Sequence, residues 1–146
     1  MPELSTCYLQ LMITSIFLLL FNFYNVNPDP QPMNATPVVS YDVLRLDSPM
    51  KPDGNWNKIQ WQKSKEIEIT QRMGPVTSFT PTVRAKMMYD DQFVYIIFKV
   101  QDHYVRSIAN TINGRIWEDS CVEFFFAPDV KNPLAYFNLE INCGGY

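Results

Sequence analysis

Apolar residues after position 36 recur in short runs that are interrupted by turn-forming residues. Alternating polar and apolar side chains over about four to eight residues are typical of a β-strand with one buried face. Glu66–Ile69 alternates in this way, and Phe93–Val100 is rich in β-branched and aromatic residues. We expect about six strands. They fall in segments 38–46, 66–69, 82–89, 93–100, 122–127 and 135–142.

Two pairs of these segments predict antiparallel hairpins. Segments 82–89 and 93–100 are joined by the polar turn Asp90-Asp91-Gln92. Segments 122–127 and 135–142 form the second pair. No stretch outside the N-terminal segment keeps the 3.6-residue apolar period of an amphipathic helix. The pattern therefore predicts an all-β fold, an antiparallel β-sandwich.

The predicted sandwich has few strands. A sandwich needs enough strands to cover both faces of its core and to protect its outer edges. The last predicted strand is followed only by residues 143–146. We expect the sandwich to be incomplete, as in a fragment.

The first 35 residues have a different character. Leu11–Phe21 is apolar apart from Thr14 and Ser15, which is short of the roughly 20 residues of a membrane span but suits a secretory signal peptide. We expect residues 1–24 to be a signal peptide, or an uncleaved anchor because no Lys or Arg precedes the apolar run. The alternating prolines of 25–35 predict an extended linker, so the sandwich is expected over 36–146.

Composition and charge narrow the choice of partners. The 146 residues suggest one domain, and the net charge is −3 without a basic cluster. This argues against nucleic acid and against electrostatic docking on acidic membranes. We expect a secreted, extracellular protein that touches a membrane only if its leader stays uncleaved. Asn34 begins a sequon for N-glycosylation, which fits that location.

Three cysteines are present. Cys7 would leave with a signal peptide, so Cys121 and Cys143 remain as a candidate disulfide. The bond needs a strand register in which Cys121 opposes Cys143 and Glu123 opposes Ile141, and a shift of one residue removes it. No CxxC motif or His/Cys cluster indicates a zinc site.

Four segments resemble, in order, the carbohydrate-binding modules of family 9, whose fold is shared by the wider group of DOMON-like domains. They are Asp53-Gly54 with Trp61, Thr82–Asp102, Trp117–Pro128 and Tyr136–Gly145. The most distinctive is Trp117–Pro128, in which a tryptophan stands six residues before a glutamate. Cys121 and Phe126 depart from the residues usual there, and the family's second binding aromatic lies downstream of the segments present.

The resemblance implies a non-catalytic module that binds glucan- or xylan-type polysaccharides and assists an attached or partner glycoside hydrolase. Sugar rings present an apolar face of C–H groups and a rim of hydroxyls, so a site needs an aromatic platform and fixed polar groups. Trp117 is the candidate platform, and Glu123 is the candidate acceptor for hydroxyls. The resemblance adds Asn138 on the neighbouring strand, near Glu123. Arg106 and Arg115 flank this region.

Trp117 and Glu123 each have an alternative interpretation in which they serve the structure and do not bind sugar. Trp117 could be a core tryptophan beneath a loop, as we expect for Trp56 and Trp61. Glu123 could be a solvated carboxylate on a strand whose Val122 and Phe124 face inward.

Other functions stay open. Glu118, Asp119 and Glu123 are acidic neighbours, but adjacent strand residues point to opposite faces, which argues against a glycosidase. A DOMON-like haem domain would use His103 with a methionine, and Met87 and Met88 are nearby candidates. An adhesion or structural module without sugar binding is the remaining alternative.

No cofactor is expected, apart from a possible structural calcium ion that the resemblance implies. Its candidate ligands are the carboxylates of Asp90, Asp91, Asp102 and Asp119. The sequence contains no loop with regularly spaced acidic ligands of the EF-hand type.

Overall fold

A computed structural model describes residues 5–14, 40–70 and 78–146. The predicted linker at 25–35 and its sequon at Asn34 lie outside these ranges. The described residues form strands and one short 3-10 helix, η1, so the all-β prediction is confirmed. The elements are β1 Ser5–Thr14, β2 Leu44–Arg45, β3 Ile67–Glu68, β4 Thr82–Tyr89, β5 Phe93–Asp102, η1 Ile116–Glu118, β6 Cys121–Phe126 and β7 Phe137–Asn142.

The strands are arranged in two sheets. Sheet A has the order β1-β5-β4-β2, and β3 pairs with another part of β4. Sheet B is the β6–β7 pair. All pairings are antiparallel except that of β2 with β4, which is parallel. Both predicted hairpins, β4–β5 and β6–β7, are therefore confirmed.

The turn between β4 and β5 is fixed by Asp90. One oxygen of its carboxylate accepts hydrogen bonds from the amides of Gln92, at 2.7 Å, and Phe93, at 2.8 Å. This is the local geometry by which Asp favours turns. The turn sets the register in which Tyr89 stands opposite Val94.

Strand β1 pairs with β5 along its whole length, from Ser5 opposite Asp102 to Thr14 opposite Phe93. The sequence predicts residues 1–24 to be a leader outside the sandwich, whereas Ser5–Thr14 covers an edge of sheet A. An uncovered strand edge leaves its amide and carbonyl groups without partners, which favours such pairing. Removal of the leader stays a prediction. Within the described ranges, no helix has the length and apolar character to cross a membrane.

Sheet A is buried on both faces. Successive residues of a strand point to opposite sides, so Tyr95 and Ile97 pack in one core cluster while Ile96 and Phe98 pack in another. The first cluster includes Trp56 and Trp61, which confirms them as core residues. The second includes Val122 of β6. Sheet B therefore stacks on sheet A, as in a sandwich.

Candidate functional site

Trp117 is exposed on η1, directly before β6. A 3-10 helix has three residues per turn, so neighbouring side chains point in different directions. Ile116 is buried and anchors η1, while 60% of Trp117 is exposed. This excludes the alternative that Trp117 is a core residue. Contacts of η1 with both β6 and β7 place η1 at the border of sheet B.

Charged residues stand on either side of Ile116 and Trp117 in the chain. Arg115 and Glu118, three residues apart on η1, form an ion pair. A cleft of about 250 Å³ beside η1 is lined by polar and charged residues that include Arg106, Thr111 and Arg115. The two arginines named from the sequence, Arg106 and Arg115, thus line a cleft beside η1.

Asp119 anchors the loop next to η1. Its side chain is only 2% exposed and accepts hydrogen bonds from the amides of Ile108 and Ala109, at 2.9 and 2.8 Å. Asn142, at 3.0 Å, and Arg106, at 3.3 Å, also donate to it. Burial acts to raise the pKa of Asp119, but these hydrogen bonds outweigh it and hold the pKa below its usual range. Asp119 therefore has a structural role.

Asn142 was not identified from the sequence. It is fully buried at the end of β7. Its amide nitrogen also donates to the carbonyl of Ala109 at 2.8 Å, and its oxygen accepts from the amides of Gly144 and Tyr146. A buried amide with every group hydrogen-bonded rigidifies its surroundings. No sequence pattern distinguishes Asn142 from an exposed asparagine.

The strand β6 alternates as predicted. Val122 and Phe124 pack toward the second core cluster, and Glu123 and Phe125 are exposed on the other side. Glu123 stands opposite Glu140, not opposite Ile141, so the register differs by one residue from the one required for the disulfide. A one-residue shift changes every cross-strand partner.

Asn138 lies on the same side of the hairpin as Glu123, but it contacts Glu140. Its amide nitrogen donates to Oε1 of Glu140 at 2.9 Å. Glu140 lies between the two predicted residues, because it opposes Glu123 and is two positions from Asn138. Glu123 and Asn138 are thus diagonal neighbours, roughly 7–8 Å apart at their Cα atoms.

Two exposed aromatic residues belong to the same side and were missed. Phe125 is 54% exposed and Tyr136 is 59% exposed, and their ring centroids are 5.6 Å apart. The alternation that placed Glu123 outward also places Phe125 outward, so Phe125 was within reach of sequence reasoning. We call this side the outer face of sheet B. It consists of Glu123, Phe125, Tyr136, Asn138 and Glu140.

The family model for carbohydrate-binding family 9 matches residues 55–146. The chain belongs to this family. No curated protein and no solved structure matches the chain. The matched range contains η1, β4 to β7 and the whole outer face of sheet B.

Membership settles the class of activity. Family 9 domains bind carbohydrate and are non-catalytic, so the prediction that the chain is not itself an enzyme is confirmed. Such domains are typically extracellular. The structure agrees with a non-catalytic role for Asp119, because its carboxylate is occupied by structural hydrogen bonds.

The residues suggested as haem ligands in this family 9 module lie too far apart to bind one haem iron. Met87 and Met88 stand opposite Ile96 and Tyr95 of β5. These two β5 residues come seven and eight positions before His103. A strand rises about 3.3 Å per residue, so the backbone of His103 lies roughly 20 Å along the sheet from that of either methionine. The ring of His103 instead packs on Phe79, with centroids 3.9 Å apart.

The four aspartates suggested for calcium do not converge. Asp90 and Asp91 lie at the β4–β5 turn, and Asp102 lies at the other end of β5. Across residues 5–14, 40–70 and 78–146, no three His, Cys, Asp or Glu side chains are grouped so that they could hold a metal ion. A structural calcium ion stays a prediction, and these four carboxylates do not form a site for it.

Proposed function

We propose that this family 9 module binds a neutral sugar chain, with Trp117 as the stacking platform and the outer face of sheet B as the polar surface. The exposed indole of Trp117 is the observation that carries the proposal. An exposed indole against a sugar's C–H face removes apolar area from water on both partners. The contacts of η1 with β6 and β7 support a continuous surface from Trp117 to that face.

The polar groups of the outer face suit hydroxyl donors. Glu123 and Glu140 present carboxylate oxygens, which accept hydrogen bonds and donate none at neutral pH. Sugar hydroxyls can donate to both carboxylates, and bonds to ionised acceptors are the stronger kind. Asn138 is oriented by Glu140 and retains a carbonyl oxygen for a further hydroxyl.

The charge of this surface favours neutral glycans over acidic ones. Two carboxylates stand opposite each other, and the chain carries a net charge of −3. A uronic acid polymer would add like charges at close range, which is unfavourable. Glucan or xylan, the glycans that the resemblance implies, carries no such charge on its backbone.

The module would act outside the cell by tethering a glycoside hydrolase to its polysaccharide. Linking a binding module to a catalytic domain raises the effective concentration of substrate at the enzyme. The hydrolase would be another domain of the same protein or a separate partner.

Tryptophan fluorescence tests the proposal directly. The chain has three tryptophans, and Trp56 and Trp61 are buried, so a ligand-dependent change reports on Trp117. Cello- and xylo-oligosaccharides are expected to give saturable changes, and polygalacturonate is expected to give none. Trp117→Ala should abolish the response, while Tyr104→Ala, which removes an exposed aromatic elsewhere, should preserve it.

The opposite outcome is equally clear. A folded protein that shows no saturable response to any neutral glycan, by fluorescence or by calorimetry, would overturn sugar binding at Trp117. An adhesion or structural module would then be the better account.

A further inference from the structure

A cavity of about 390 Å³ lies between the two sheets and is lined by strands of both. Its lining includes Phe98 and Val100 of β5 and Val122 of β6. All three cysteines of the chain, Cys7, Cys121 and Cys143, also line it. Glu123 of the outer face also borders the cavity, but the proposed sugar site does not use its three thiols.

Cys7 and Cys143 are in direct contact. The thiol of Cys7 donates to the backbone carbonyl oxygen of Cys143, with 3.8 Å between the sulfur and the oxygen. The residues are 136 positions apart, so the contact joins the N-terminal strand to the end of β7. It is maintained by the ten residue pairs between β1 and β5, in which Cys7 opposes Val100.

Cys121 is placed differently. It stands opposite Asn142. Burial, followed by the negative charges of Glu123, Glu140 and Asp119, raises the pKa of its thiol. The thiol of Cys143 is directed instead at the carbonyl of Arg106, 3.4 Å away. The predicted partner Cys121 therefore does not stand opposite Cys143, whereas Cys7 contacts Cys143 directly.

We propose that Cys7 and Cys143 form a disulfide when the protein matures in an oxidising compartment, and that β1 is a permanent strand of the module. The Cys7 thiol already contacts the backbone of Cys143, and both residues line the same cavity, so the bond requires side-chain rotations instead of a change of strand register. This differs from the sequence prediction that Cys7 is removed with a signal peptide and that Cys121 pairs with Cys143.

The reaction is a thiol–disulfide exchange with a small disulfide such as oxidised glutathione. One thiol, as its thiolate, attacks a glutathione sulfur and releases one reduced glutathione. The second thiolate then attacks the protein sulfur of the mixed disulfide and releases another reduced glutathione. Two electrons and two protons leave the cysteines, and both are accounted for in the two reduced glutathiones.

The bond would secure an exposed edge of sheet A. Strand β1 covers β5 along all ten residues, and without it the apolar side chains of β5 would border an open edge. A cross-link over a long chain segment also restricts the unfolded state, which favours the folded one.

Trypsin offers a clean test, because the first basic residue of the chain is Arg45. Cleavage places Cys7 in peptide 1–45, Cys121 in 116–131 and Cys143 in 132–146. The full chain should be exported to an oxidising compartment, alkylated without reduction, digested and mapped by mass spectrometry. We expect peptides 1–45 and 132–146 to be linked and Cys121 to be alkylated.

Variants provide matched controls. Cys121→Ser should keep the link between 1–45 and 132–146, and Cys7→Ser should leave Cys143 open to alkylation. Three results would overturn the proposal. They are a mature N-terminus beyond Cys7, a link between 116–131 and 132–146, and alkylation of all three cysteines in the exported wild-type protein.

Discussion

Glu123 of β6 stands directly opposite Glu140 of β7 on an exposed side of the hairpin. Like charges in this arrangement destabilise a sheet by a fraction of a kcal/mol to about 1 kcal/mol. The proposed sugar site, in which both carboxylates accept hydrogen bonds from hydroxyls, gives a reason for this pair. Asn138 supports the arrangement by donating to Glu140.

Glu123→Gln should separate stability from affinity. Removing one charge is expected to raise the free energy of unfolding by about 0.2–1 kcal/mol. The same change weakens hydrogen bonds to hydroxyls, so affinity for cello-oligosaccharides should fall roughly tenfold, which corresponds to about 1.4 kcal/mol. Urea denaturation and calorimetric titration measure the two effects. Glu68→Gln on sheet A is the control, and unchanged affinity in Glu123→Gln would argue against its role.

Phe125 and Tyr136 are expected to act on longer ligands. Their rings extend the surface beyond the carboxylates, so Phe125→Ala and Tyr136→Ala should weaken binding of hexasaccharides by about 3- to 10-fold. Binding of disaccharides should change little. Calorimetry over a series of chain lengths checks this. Phe137→Ala is the matched control, because Phe137 stacks on Phe126 at the other side of the hairpin.

Tyr95→Phe should destabilise the fold without affecting sugar binding. The buried hydroxyl of Tyr95 donates to Asp90 at 2.6 Å and accepts from the amide of Met50 at 3.3 Å. Removing it takes the acceptor from the buried amide of Met50 and one donor from the carboxylate of Asp90, which is expected to cost about 1–3 kcal/mol in the free energy of unfolding. Urea denaturation measures the loss. A cost near zero would mean that water replaces the hydroxyl.

Stability should fall on acidification. Burial acts to raise the pKa of Asp90, but the Tyr95 hydroxyl and the amides of Gln92 and Phe93 hold it below the usual range. Burial likewise acts to raise the pKa of Asp119, but hydrogen bonds from backbone amides, Asn142 and Arg106 hold that pKa below its usual range. A carboxyl with a lowered folded-state pKa contributes stability above its unfolded pKa, near 4, and loses it as pH falls through the folded value.

Thermal denaturation between pH 7 and pH 2.5 checks this expectation. The melting temperature should be flat above about pH 5 and should drop below about pH 4. Asp119→Asn should be less stable at pH 7 and should show a shallower acid drop than the wild type. An equal drop in both proteins would assign the effect to other carboxyls.

Cys7 should react slowly in the reduced protein. Burial first, then the nearby Cys143 and its hydrogen bond, raise the pKa of Cys7 from 9.0 to about 11. At pH 8 its thiolate fraction is then about 100-fold lower than that of an unperturbed thiol. Alkylation by iodoacetamide, followed on tryptic peptide 1–45, should be slower than that of free cysteine by about this factor. Denaturation in urea should abolish the difference.

Much of the site could be read from residue types and strand alternation. Trp117 lies between a polar segment and a strand, and the alternation of 122–127 places Glu123 outward. The partner of Glu123 could not be predicted, because register depends on how two distant strands meet and a one-residue shift exchanges all partners. Glu140 was therefore missed, and the contact of Asn138 was assigned to Glu123.

The sequence alone determined the all-β class, both hairpins, the buried tryptophans and the family, because these depend on local periodicity, turn residues and short motifs. The tertiary structure alone decided the β6–β7 register, the anchoring of the loop by Asp119 and Asn142, and the placement of Ser5–Thr14 beside β5. These features join residues far apart in the chain. Their free energy arises from long-range pairing and burial, which no local pattern of side chains encodes.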